Sequence, residues 1–163
     1  MKQRVIVKCM AVMVSFMLLI GGLAAPVQAK SSGYVFSFKG VSVGMHDKAK
    51  QIIKKAGKPL AKKVKKSCAY KGKDRTYKYK DFILYTYSHT DNGEEYINGI
   101  TFLNSNVSTK EKIKIGSTLQ EMKKKYKNGK EKFGIYTFKK AKCKLQVEVT
   151  DGKVSNIRYV GTK

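Results

Sequence analysis

The chain has 163 residues, 35 of them lysine or arginine against 11 acids, for a formal net charge of +24 and an isoelectric point near 10.0. Residues 1–29 contain only three of the cations, so the excess belongs to the rest of the chain, where Arg75 and Arg158 are the only arginines. Lysine is a solvated point charge without the bidentate fork used to read bases, so this charge implies attraction to polyanionic surfaces and argues against sequence-specific nucleic-acid recognition.

Lys2, Arg4 and Lys8 precede an uncharged, mostly apolar run from Met10 to Ala25, and Val27-Gln28-Ala29 supplies small residues where a signal peptidase cuts. The run is short for a bilayer-spanning helix, which needs about 20 apolar residues. Residues 1–29 are therefore expected to be a signal peptide, leaving residues 30–163 as one secreted domain, extracellular or loosely held at the cell envelope. No transmembrane segment is expected after cleavage, and Lys30, not a lipid-carrying cysteine, follows the cut. Cleavage leaves Cys68 and Cys143, and two cysteines in an exported domain predict one disulfide between them, with two separate buried thiols as the alternative.

In chain order, Tyr34–Phe38 and Val41–Val43 flank Lys39-Gly40 and predict a hairpin. Ala49, Ile52, Ile53 and Ala56 at helical spacing, closed by Gly57 and Pro59, predict a first helix. Four strands are expected next. Val64, Cys68 and Tyr70 mark the first, and Tyr77 with Tyr79 the second. The apolar and aromatic run Phe82–Tyr87 reads as a central strand packed on both faces, and Tyr96–Leu103 follows the Asp91-Asn92-Gly93 turn. Ile97 and Ile100, three apart around Gly99, break the two-residue period and predict a bulge.

After the polar connector Asn104–Lys112, Ser117 and Gln120 suggest a capping box for a second helix with the stripe Leu119, Met122, Tyr126. Asn128-Gly129 ends it. Ile135–Phe138, Leu145–Val149 and Val154–Val160 are further strands, with Asp151-Gly152 as a hairpin turn.

This order repeats. Val43-Gly44 and Ile115-Gly116 are 72 positions apart, as are Gly57 and Gly129. Ile97–Phe102 and Val154–Tyr159 carry one pattern at an offset of 57, so the first unit is longer and is expected to hold an extra strand. The fold class expected is α+β: two tandem helix-plus-antiparallel-sheet repeats, about 34–104 and 112–160, forming one sheet with helices packed on one face.

The Val-Gly-Met and Ile-Gly-Ser starts, the short helix ending in Gly and the following meander resemble the tandem repeats of beta-lactamase inhibitory proteins. Single-unit relatives of that type are the outer-membrane assembly lipoproteins of the SmpA/OmlA kind. Ser67–Asp74, Thr109–Gly116 and Asp151–Ile157 also resemble small uncharacterised secreted proteins and lipoproteins of Gram-positive gut bacteria. The resemblance implies an antiparallel sheet whose open face binds a protein, and it does not imply lactamase inhibition.

Candidate chemistry is thin. His46 lies near the first helix start, and His89 lies beside Ser88 and Asp91, but neighbours in a loop do not make a triad. Asp91, Glu94 and Glu95 lack the pattern of a calcium loop, and Cys68 and Cys143 lack zinc spacing. No enzyme activity and no cofactor or metal is expected, an uncharacterised hydrolase being the weaker alternative.

The expectation is a non-catalytic binding module for an unknown protein, with Tyr77, Tyr79, Tyr85 and Tyr87 as surface anchors on the sheet. The alternative is a binder of anionic envelope polymers or glycans through Lys123, Lys124, Lys125, Lys127, Lys130 and Lys132.

Overall fold

A computed structural model describes residues 33–162. The expected signal peptide lies outside the described residues. Strands β1 (Phe36–Phe38) and β2 (Val41–Val43) form a hairpin through Lys39 and Gly40, both at positive φ. Helix α1 (Lys50–Ala56) follows. A meander comes next: β3 (Ala61–Lys66), β4 (Lys73–Lys78), β5 (Phe82–Ser88) and β6 (Glu95–Phe102). Helix α2 (Leu119–Lys125) leads into a second meander of β7 (Lys130–Lys132), β8 (Ile135–Lys140), β9 (Cys143–Thr150) and β10 (Lys153–Gly161).

All eight later strands share one antiparallel sheet in the order β3-β4-β5-β6-β10-β9-β8-β7. The meanders meet through their last strands. Arg158 lies opposite Thr101, and these two residues occupy equivalent positions in the repeated pattern, 57 apart. An antiparallel pairing of two equivalent residues sets a local two-fold axis between Thr101 and Arg158, and Tyr159 lies opposite Ile100 in the same register. The predicted bulge is present: the β5–β6 register shifts so that Asn98 is skipped between Ile97 and Gly99. Ser155, at the corresponding position, is skipped between β9 and β10. Each bulge turns an isoleucine or valine three positions upstream to the same face as its partner.

That face forms the core. Tyr77, Leu84, Ile100, Tyr159, Leu145 and Phe138 pair in succession across six strands, and all are buried. Phe36 of the hairpin plugs the middle, its ring 5.1 Å from Phe82 and 5.5 Å from Phe102. Ile52 of α1 and Met122 of α2 are fully buried in the same cluster.

The structure corrects several expectations. The class is mostly β, with 48% strand and 11% helix, in two antiparallel sheets of two and eight strands. Each helix has only seven residues. Helix α1 itself lies where Ala49, Ile52, Ile53 and Ala56 place it, after a turn in which the Asp47 carboxylate accepts from the Gly44 amide at 2.7 Å. The capping box of α2 uses Thr118 and Glu121, one residue later than Ser117 and Gln120. Cys68 and Tyr70 lie in the β3–β4 loop, not on a strand. Strand β5 alternates buried and half-buried residues from Phe82 to Thr86, so its packing is one-sided over that length. No extra strand lengthens the first meander, which has four like the second; its longer β3 and its loops take up the residues.

The predicted disulfide is not formed. Cys68 is exposed and Cys143 buried, and both thiols are free. From β4, which the Cys68 loop precedes, to β9 is four strand steps, on the order of 20 Å, whereas bridged cysteines need Cα atoms within about 7 Å. Burial pushes the Cys143 thiol from 9.0 up to about 11, the amides of Tyr34 and Val160 opposing that shift. Its folded value exceeds its unfolded one, so the contribution to stability is complete below pH 9 and is lost as pH rises towards 11. In the chain from Lys30 onward, a thiol reagent at pH 8 should therefore label one cysteine in the folded protein and the second only in denaturant. Two fast thiols, or none, would contradict this placement.

Gly129 provides a second check. A Cβ there would sit 2.2 Å from Cε1 of Phe138, whose ring is packed against Tyr126 with centroids 5.0 Å apart. Gly129→Ala should cost about 1–3 kcal/mol by overpacking, read as a lower midpoint in urea at unchanged slope.

Candidate functional site

The helices and the β1–β2 hairpin cover one face of the large sheet and leave the other open. Cross-strand pairs share a face, so the registers identify the open side. One row reads Lys63, Thr76, Tyr85, Gly99, Val160, Lys144, Lys139. The next reads Ala61, Lys78, Ile83, Thr101, Arg158, Gln146, Thr137, Lys130. Tyr85, Ile83, Thr101 and Val160, on the three central strands, are half-buried. Tyr85 leans over Gly99, where a Cβ would lie 3.4 Å from its Cδ2. Around this centre Lys63, Lys78, Lys130, Lys139 and Arg158 are exposed. An apolar centre inside a charged rim is the usual anatomy of a protein-binding surface.

Of the four tyrosines expected on this face, Tyr85 is half-buried there. Tyr77 and Tyr79 are core residues, 4% and 5% exposed, and do not belong to a surface site. Tyr77 pairs with Leu84, which fixes it to the helix side. Its hydroxyl donates to Glu95 at 2.9 Å, and burial and that carboxylate raise its pKa well above the ordinary range. Glu95 also accepts from the Thr86 hydroxyl at 2.8 Å and faces Arg75 Nε at 3.4 Å. Arg75 and Glu95 are thus held by the fold's own network.

Tyr87 shares a face with Tyr85 but is covered. The Tyr70 ring stacks on it with centroids 5.0 Å apart, and His89 and Tyr96 flank it at 5.4 and 5.7 Å. His46 Nε2 donates to the carbonyl of Thr162 at 2.9 Å, which leaves Nδ1 to accept from the Tyr87 hydroxyl at 3.1 Å. Both histidines of the chain therefore converge on one aromatic stack, His46 as a clasp on the end of β10. Burial raises the Tyr87 pKa. Sequence patterning does not reveal this stack, because its members come from four separated segments.

The six-lysine cluster divides. Lys123, Lys124 and Lys127 line a shallow depression with Leu119 and Gln120. Lys125 closes α2, while Lys130 and Lys132 stand on β7 and share the open face with Thr137 and Ile135. Asp91, Glu94 and Glu95 diverge: Asp91 lies 3.8 Å from Lys73, Glu94 2.8 Å from Lys48, and Glu95 turns inward. Ser88, buried, bonds Lys73 and Arg75 and is not directed at His89. Among the described residues no three His, Cys, Asp or Glu groups converge as a metal site would require.

Compared with known proteins, the chain matches no family model, no curated protein and no solved structure.

Proposed function

We propose that the protein is a secreted, non-catalytic binding module whose open sheet face receives an acidic surface of another protein. The observation that carries this reading is the uncovered centre of Tyr85, Ile83, Thr101 and Val160, bordered by lysines and Arg158. Strands make this surface rigid, so little ordering entropy is lost on binding. The rim charges steer an acidic partner, and the half-buried centre supplies the desolvated contact. The resemblance to beta-lactamase inhibitory proteins supports the same reading, since there too an open sheet face meets a protein.

The second reading, binding of anionic envelope polymers, is favoured by the depression that Lys123, Lys124 and Lys127 share on α2. Salt separates the two, because exposed charges are screened within about 8 Å at physiological ionic strength.

The test is affinity capture from culture medium and envelope fractions, with the chain from Lys30 onward as bait. A protein should be retained in several hundred millimolar salt, and Tyr85→Ala should weaken its measured affinity more than tenfold, about 2 kcal/mol, without loss of the folded circular-dichroism spectrum. Retention that salt abolishes and Tyr85→Ala leaves intact would replace this reading with the polymer one.

A further inference from the structure

We propose that the β7–β8 hairpin is a membrane-surface contact, with Phe133 entering the interfacial layer of an anionic lipid bilayer and the surrounding lysines holding its headgroups. Phe133 is 88% exposed, the highest value among the large hydrophobic side chains of the described residues. Exposure alone is ordinary for single residues. Phe133, however, also occupies a backbone conformation that aromatic residues rarely adopt. It forms a two-residue turn with Gly134 at φ 53 and 76, a geometry favoured by Asn-Gly or Asp-Gly. The chain has the ordinary solution elsewhere: Asp151-Gly152 turns between β9 and β10 at φ 51 and 73. Nothing in the turn requires an aromatic ring.

The tip is fixed. The Glu131 carboxylate accepts from the Gly134 amide at 2.8 Å, and the Gly134 carbonyl accepts from the Val149 amide at 2.9 Å. The ring is therefore presented in one place rather than free to fold back. Glu131, the one acid of the hairpin, is turned into the turn, and cations take both faces. Lys130 and Lys132 lie on the open side by register, with the Lys132 ammonium 5.2 Å from the Phe133 ring centroid. On the helix side Lys123 lies 5.5 Å from the ring of Tyr136, which pairs with Glu131. An apolar tip between lysines matches the boundary of an anionic bilayer, where acyl region and headgroup charge lie within one side-chain length. Lysines without arginine suit mobile headgroups better than the fixed geometry of a protein pocket. Among the described residues no helix is long and apolar enough to cross a membrane, so the contact is peripheral.

The chain contains no tryptophan, so Phe133→Trp installs a single reporter at the tip. The protein from Lys30 onward, which keeps the whole body of residues 33–162 and omits the apolar leader, is mixed with phosphatidylglycerol-containing vesicles and with pure phosphatidylcholine vesicles. The expected result is a blue shift of emission and quenching by brominated acyl chains in the anionic vesicles only. Phe133→Asn restores the preferred turn pair and should melt no lower than the native protein, yet sediment with anionic vesicles at least tenfold more weakly. Tyr85→Ala should leave vesicle binding unchanged, which separates this surface from the sheet face. An unshifted reporter at saturating anionic lipid, or Phe133→Asn binding as well as the native chain, would overturn the proposal and leave charge alone as the attraction. Soluble poly(glycerol phosphate) that binds both forms as tightly as the vesicles bind the native chain would overturn it too.

Discussion

Three paired positions join the two halves of the sheet: Arg158 with Thr101, Tyr159 with Ile100, and Val160 with Gly99. Everything else follows from that short seam. It places the last strands of both meanders at the centre, which sends β3 and β7 to the edges and puts equivalent residues on opposite sides of a local two-fold axis. The two bulges, at Asn98 and Ser155, then decide which side chains face inward. Without them, Ile97 and Ile100 would face opposite sides of the sheet, as would Val154 and Ile157, and the core would lose half of its central strands. The seam also leaves the Thr101 hydroxyl oxygen without a hydrogen-bond partner, a local cost at the centre of the sheet.

This arrangement explains why the helices are short. A sheet of eight strands needs one face covered, and the β1–β2 hairpin contributes much of that cover through Phe36, Phe38 and Val43. α1 and α2 have only to seal the two flanks, which one buried residue each, Ile52 and Met122, achieves together with their neighbours. Burying an aliphatic side chain contributes about 1.5–3 kcal/mol. A seven-residue helix is marginal alone, so these depend on the sheet rather than on propensity.

How much of this is legible in the sequence follows from range. Turn signals and the broken period at Ile97 and Ile100 are local, and the Asp151-Gly152 hairpin and the bulge are where the residues indicate. Which tyrosines are core is a register question. Tyr85 and Tyr87 lie opposite Leu84 within one strand, but Tyr77 joins Leu84 only through the β4–β5 pairing. Its placement therefore depends on a contact that periodicity within one segment cannot supply. The disulfide expectation fails for the same reason: counting two cysteines measures no distance, and Cys68 and Cys143 belong to parts of the sheet that the seam keeps apart. The α+β expectation fails on proportion: α1 lies where Ala49, Ile52, Ile53 and Ala56 place it, but it and α2 hold only seven residues each against 48% strand.

The lysine excess has a structural use that must be subtracted before any of it is assigned to a partner. Both edge strands carry it: Lys62, Lys63, Lys65 and Lys66 on β3, and Lys130 and Lys132 on β7. Unpaired edges recruit other strands, and exposed lysines prevent that. Edge protection accounts for the lysines at both ends of the sheet, four on β3 and two flanking Glu131 on β7. It does not account for an aromatic residue at one of them. The β3–β4 loop folds its exposed ring, Tyr70, back onto Tyr87, so that corner satisfies itself. At the opposite edge the Phe133 ring finds only the ammonium of its neighbour, in a turn conformation a polar residue would hold with less strain. The β3 edge also exposes Leu60 and Val64, but these are aliphatic side chains beside four lysines, so the feature that charge does not explain is the exposed aromatic ring held in a positive-φ turn at β7.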